Sequence, residues 1–175
     1  MKTIYLLRHA KSSWGPPETP DHERPLNERG RKAAKTMGRH LRHLPAPPDL
    51  VVASTARRVS ETLAALKLEK LANIPVIREK KLYLAPPERL LSVLLSTSDT
   101  INNLLIIGHN PGIHAFALQL SGEVADEAGY DARDRLKAKY PTAALAAIEF
   151  PTVQFWRDIK PGGGRLVSFT TPKDL

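Results

Sequence analysis

Short apolar runs alternate with stretches of helical periodicity along most of the chain. The run from Thr3 to Leu7 is too short for a buried helix and too continuous for a half-exposed strand, so it predicts a central strand. Ser12 to Pro25 holds four prolines in a polar setting and reads as a surface loop. From Asn27 to Leu44 the residues Ala34, Met37, Leu41 and Leu44 recur at helical spacing, with Asn27 placed to cap the helix and Pro45 to stop it. Leu50 to Ala53 predicts a second strand, and Val59, Leu63 and Leu66 mark the inner face of a second helix. Val76 to Ile77 is a short third strand, Pro86-Pro87-Glu88 opens a third helix through Leu94, and Leu104 to Ile107 is a fourth strand. Ile113, Phe116, Ala117 and Leu120 form a short helix ending at Gly122. Glu123 to Tyr140 is charged and reads as helical, closed by Pro141. Ala143 to Phe150 and Arg165 to Thr170 pair as an antiparallel hairpin, with Pro161-Gly162-Gly163-Gly164 in the connection.

This order predicts an α/β fold: a three-layer α/β/α sandwich on a mostly parallel sheet, with ligands bound outside the carboxyl ends of the strands. The 175 residues make one domain, 1–175, with no repeat and no linker. Cysteine is absent, which removes disulfides, cysteine-rich zinc sites and every cysteine nucleophile. The run Ile4 to Leu7 is stopped by Arg8, short of the roughly 7–15 residues of a signal-peptide core, so the expectation is a mature cytoplasmic protein without a membrane partner. The formal charge of +8 suits an anionic partner but is also common on featureless surfaces.

Three predicted strands run into polar groups that a core does not need. Leu6-Leu7 leads to Arg8-His9, Val51-Val52 leads to Ser54 and Arg57-Arg58, and Ile106-Ile107 leads to Gly108-His109-Asn110-Pro111. Brought together, two histidines and at least two arginines form a cationic bowl, and guanidinium forks suit phosphate oxygens. A phosphoryl ligand is the expectation. Each group also has a plainer reading: Arg8-His9 as a surface turn, and His109 as a satisfied core histidine. Arg57-Arg58 opens a helix where the dipole disfavours cations, a conflict that a nearby anion resolves. His40 and His43 lack a third ligand, and His109 and His114 fall on different helix faces, so neither pair predicts a metal site. Asp-x-Asp, GxSxG, HExxH and GxGxxG motifs are all absent.

These blocks resemble the histidine phosphatase superfamily. Leu7-Arg8-His9-Ala10-Lys11-Ser12-Ser13-Trp14 and the segment Asp21 to Gly30, with Arg24-Pro25-Leu26 and Arg29-Gly30, are most similar to its SixA-like phosphohistidine phosphatase branch. Ser54 to Thr62 resembles the second block, where counting back from Thr62 selects Arg58 over Arg57, and Gly108-His109-Asn110-Pro111 completes the set. The resemblance covers about Met1 to Leu120. It implies a phosphatase with His9 as nucleophile and Arg8, Arg58 and His109 as the phosphate-binding groups, needing no metal and no cofactor. It also implies a phosphorylated protein as partner, with phosphohistidine as the reacting group, or a small phosphorylated substrate. Lys11 and Ser12 are candidate entrance residues, though a solvated loop explains them equally. Family members that act on alcohol phosphates carry an acid after the third strand in a Leu-x-Glu setting. Leu82-Tyr83-Leu84 places Leu84 there, which disfavours an alkoxide leaving group and favours a phosphoramidate. Glu18, Asp21, Glu79 and Glu88 stay open as other proton donors. A noncatalytic module holding anions or nucleic acid is the reading from another class, weakened for nucleic acid by only 6% aromatic residues and no recognised motif.

Overall fold

The computed structural model describes residues 1–68, 73–122 and 127–175. Its sheet has six strands: β1 (Lys2–Arg8), β2 (Leu50–Ser54), β3 (Val76–Glu79), β4 (Asn103–Gly108), β5 (Leu145–Phe150) and β6 (Arg165–Thr170). Their order is β3-β2-β4-β1-β5-β6, parallel from β3 to β1 and antiparallel at β5 and β6. The helices are α1 (Glu28–Arg42), α2 (Arg57–Leu66), α3 (Pro87–Leu95), α4 (Gly112–Leu120) and α5 (Glu127–Ala138). The expected three-layer α/β/α architecture is therefore present, and its closing hairpin is antiparallel. Among the described residues no helix is long and apolar enough to cross a membrane.

Side chains alternate across a strand, so a continuous apolar run feeds two cores. Ile4, Leu6, Leu104 and Ile106 pack with Phe116, Leu94 and Leu136 from α4, α3 and α5. Tyr5, Leu7, Leu105 and Ile107 pack with Met37, Leu41, Val59 and Leu66 from α1 and α2. Burying each such aliphatic side chain contributes about 1.5–3 kcal/mol. Covered on both faces, the parallel strands leave only their ends to meet a ligand.

Local departures from the sequence expectations have physical causes. α1 is capped by the Asn27 side chain, which accepts from the Gly30 amide at 2.8 Å, but it ends at Arg42. The approach to Pro45 disfavours helix, and the His43 ring bonds the free Arg39 carbonyl at 2.7 Å. Strand β5 starts at Leu145 because Ala143 takes a left-handed conformation (φ 60°) and its amide donates to the carbonyls of both Arg8 and His9. The connection 151–164 is longer than a tight turn, and it buries Trp156 and ties Gly164 to Leu120 and Gly122 at the end of α4. Residues 123–126 of the segment expected to be helical lie outside the described residues; α5 occupies its later part.

Candidate active site

The carboxyl ends of β1, β2 and β4 lie side by side. Arg8 pairs with Gly108 in the parallel register, and the next amide, His9, donates to the Gly108 carbonyl at 3.1 Å. His9 and His109 thus leave adjacent strands at equivalent positions, and their rings stand 5.2 Å apart. Arg58 arrives from the first turn of α2, its guanidinium 3.3 Å from Nδ1 of His109. Thr62, one helical turn on, sets the spacing: its hydroxyl accepts from the Ala10 amide at 3.0 Å and donates to the Arg58 carbonyl at 2.6 Å. Arg8 donates to the Tyr140 carbonyl at 2.8 Å, while its Nε is buried without a partner. The structure therefore brings Arg8, His9, Arg58 and His109 together at one end of the sheet. Arg57 points away and pairs with Glu61 at 2.9 Å.

Hydrogen bonding determines the histidine tautomers. A carbonyl only accepts, so Nδ1 of His9, 2.8 Å from the Ala10 oxygen, carries the proton and Nε2 holds a free lone pair. Guanidinium only donates, so Nδ1 of His109 accepts from Arg58 and Nε2–H donates to the Ser54 hydroxyl at 2.8 Å. Burial, then the charges of Arg58, Arg8 and Arg24, push His9 down to about 4 against the favourable carbonyl contact. Burial, then His9 and Arg58, push His109 down to about 3. Burial and the neighbouring Arg58 also lower Arg8, which stays charged at neutral pH.

Both folded-state values lie below the unfolded value near 6.5, so below that pH the unfolded chain takes up protons that the folded chain refuses. Stability is expected to fall as pH drops from about 6.5 toward 4 and then 3. Denaturant titrations across that window check the slope, and ring-carbon NMR should place the His9 midpoint near 4. Phosphate or vanadate in the pocket should raise that midpoint, because a dianion favours imidazolium.

The match to known proteins fits this arrangement. Residues 4–83 match the model of the histidine phosphatase superfamily, branch 1. An uncharacterized protein of Mycobacterium tuberculosis is 35% identical over 170 residues, spanning 95% of this chain and 100% of that protein. The chain belongs to the histidine phosphatase superfamily. Among solved structures, one from Nakamurella multipartitia described as a candidate phosphohistidine phosphatase SixA is 28% identical with a TM-score of 0.81, covering 98% of this chain and 96% of that one. Another from Agrobacterium tumefaciens, described in the same way, is 27% identical with a TM-score of 0.78 and covers 98% of both.

Within this histidine phosphatase fold, the loop before α1 contributes more than the sequence suggested. Asp21 begins a short 3-10 turn, Asp21–Glu23, and its carboxylate accepts from Tyr83, from Arg24 at 3.0 Å and from Arg58 at 3.0 Å. The Tyr83 hydroxyl, with Arg24 and Arg58 adding to it, holds the Asp21 carboxyl down to about 2 although burial pushes the other way. An ionised Asp21 is an acceptor and not an acid. Glu79 caps the turn after β3 by accepting from the Lys81 amide, Glu88 sits in the first turn of α3, and Glu18 is exposed in the loop. Among the described residues none of these three hydrogen-bonds to the four converging groups. Leu84 is half exposed with φ 49°, and it is Tyr83 that turns inward, its ring edge-on to His109 at 5.4 Å. His22 also packs against that ring, 4.9 Å between centroids, and bonds Thr55.

The arginine pair at the start of α2 is answered in part by the protein itself, since Asp21 and Glu61 supply the anions that the helix dipole does not. Ser12 is buried with its hydroxyl accepting from Arg24 at 3.1 Å, whereas Lys11 is exposed. The α1 N-terminus approaches the Lys11 carbonyl so closely that a Cβ at residue 30 would lie 2.1 Å from it, which requires Gly30. Tyr83 gave no sequence signal. Asp21 did: it stands three residues before Arg24, the spacing of an ion pair across one turn.

Proposed function

We propose that this protein is a phosphatase that transfers a phosphoryl group to His9 and hydrolyses the phosphohistidine so formed, and that its substrate is phosphohistidine in another protein. The observation carrying this reading is the free Nε2 of a neutral His9 beside Arg8, Arg58 and His109, with the nearest carboxylate held ionised. In the first step the Nε2–phosphorus bond forms as the bond to the leaving nitrogen breaks, and that nitrogen takes its proton from solvent. In the second step water attacks phosphorus, the His9 bond breaks, and inorganic phosphate leaves. Arg8 and Arg58 face the oxygens whose charge builds in each transition state. His109, buried and neutral in the free enzyme, accepts a proton more readily once the phosphoryl dianion is near.

Substrate preference follows from the missing acid. With Asp21 ionised, and with Glu18, Glu79 and Glu88 making no hydrogen bond to the four converging groups, an alkoxide meets no carboxylic acid donor among the described residues, a deficit of about 10²–10⁴ in rate. Expected, therefore, is preferred turnover of a phosphohistidine peptide over an alkyl phosphate by at least about 10²-fold in kcat/KM. Phosphate release from both substrates, with a chelator present, measures it. Efficient hydrolysis of a phosphorylated metabolite with negligible phosphoramidate turnover would replace this reading with a small-molecule phosphomonoesterase.

A further inference from the structure

The catalytic end of the sheet opens at Arg8 into a second space, a cleft of about 940 Å³ between the start of α1, the end of α5 and the C-terminal tail after β6. Six cationic side chains line it, Arg8, Lys11, Arg29, Arg135, Lys139 and Lys173, against one carboxylate, Asp174. That carboxylate is already engaged by Arg135 at 2.6 Å and by the Thr171 hydroxyl at 2.9 Å. Lys11, Arg29, Lys139 and Lys173 have no ion-pair partner among the described residues. The dipole of α5 accounts for Lys139 near its carboxyl end, but the dipole of α1 opposes Arg29 in its own first turn, and neither bears on Lys11 or Lys173. At the end shared with the catalytic site, Arg8 Nε and the Asn110 side-chain oxygen are both buried without partners.

We propose that this cleft docks the acidic flank of the polypeptide whose phosphorylated side chain enters the His9 site, an inference that rests on the phosphatase reading above. The cations come from four separate segments, and the unpaired ones are mostly lysines, point charges on flexible stems. The same lining includes the apolar Pro141, Phe169 and Pro172. Spaced carboxylates on a chain with apolar residues between them match that layout. A compact oligophosphate calls instead for converging forks or a backbone nest.

The test uses the full chain and two synthetic phosphohistidine peptides that differ only in flanks of Asp and Glu or of Ser and Asn, with free phosphohistidine as the small substrate. The acidic peptide should be turned over about tenfold more efficiently at low salt, a preference that collapses near 0.5 M salt as screening shortens the reach of the charges. K139E/K173E should abolish the preference and leave turnover of free phosphohistidine within about twofold. Equal turnover of the two peptides by the wild type, or an undiminished preference in K139E/K173E, overturns the proposal. Binding of the same peptides made with a non-hydrolysable phosphohistidine isostere separates docking from catalysis. Acid-dependent binding lost in K139E/K173E, in a chain that hydrolyses no phosphoramidate, keeps the cleft and removes the phosphatase reading. Tripolyphosphate that binds more tightly than the acidic peptide and displaces it makes the cleft an oligophosphate site and overturns the proposal.

Discussion

His9→Ala is expected to lower phosphate release by about 10⁴-fold or more while the protein stays folded. The substitution removes the imidazole whose Nε2 lone pair is held free by the Nδ1 bond to the Ala10 carbonyl. Water would then have to attack the substrate directly, and the two-step route through a covalent intermediate is lost. On the proposed reading the cationic groups that remain should still hold phosphate, so binding of vanadate is expected to survive where turnover does not. The folding cost is modest, because the Ala10 carbonyl loses one hydrogen bond, about 1 kcal/mol. Circular dichroism and thermal melts establish that the variant is folded. A radiolabelled substrate then reports the intermediate: the wild type should acquire an acid-labile, alkali-stable label, and His9→Ala should not. A variant that keeps one tenth of wild-type activity would remove His9 as nucleophile.

Much of this architecture is legible in the sequence because parallel strands covered on both faces carry unbroken apolar runs. Ile4 to Leu7 and Leu104 to Ile107 must feed two cores at once, and nothing else explains four apolar residues in a row bounded by Arg8 and Gly108. The same logic places polar residues at the ends of those runs outside the core, which is why Arg8, His9 and His109 stand out. Helix α2 was harder to read. Its apolar stripe suggested Leu63 on the inner face, yet the buried positions are Arg58, Val59, Thr62 and Leu66, with Leu63 only half buried. A guanidinium buried on Asp21 and His109, and a hydroxyl buried between the Arg58 carbonyl and the Ala10 amide, do not announce themselves as core. Tyr83 and Asp21 meet across 62 positions of chain, and no local pattern encodes such a pair. The triple glycine read as a turn because glycines favour turns, but Gly164 also pairs with the end of α4, a contact set by tertiary packing.

Arg58→Ala is expected to cost about 10³-fold in kcat/KM, roughly 4 kcal/mol of transition-state stabilisation. Losing one fork of donors accounts for part of that. The rest comes from Asp21, whose carboxylate lies 3.0 Å from the Arg58 guanidinium and is neutralised by it. Without Arg58 an ionised carboxylate faces the incoming phosphate dianion, and like charges repel. Arg58→Lys should restore little, because one ammonium cannot serve the Asp21 carboxylate, the Asp21 carbonyl and Nδ1 of His109 in the directions the guanidinium does. The double variant Arg58→Ala with Asp21→Asn separates the two contributions. If Asp21 acts through its charge, the double variant regains about tenfold over Arg58→Ala, a positive coupling measurable in a double-mutant cycle. If Asp21 serves only to hold the loop Ser12 to Pro25 against α2, removing its charge as well makes the double variant no better or worse. Raising the salt concentration distinguishes the cases again: screening relieves the repulsion in Arg58→Ala, since Asp21 is part exposed, and so narrows the gap between the single and double variants.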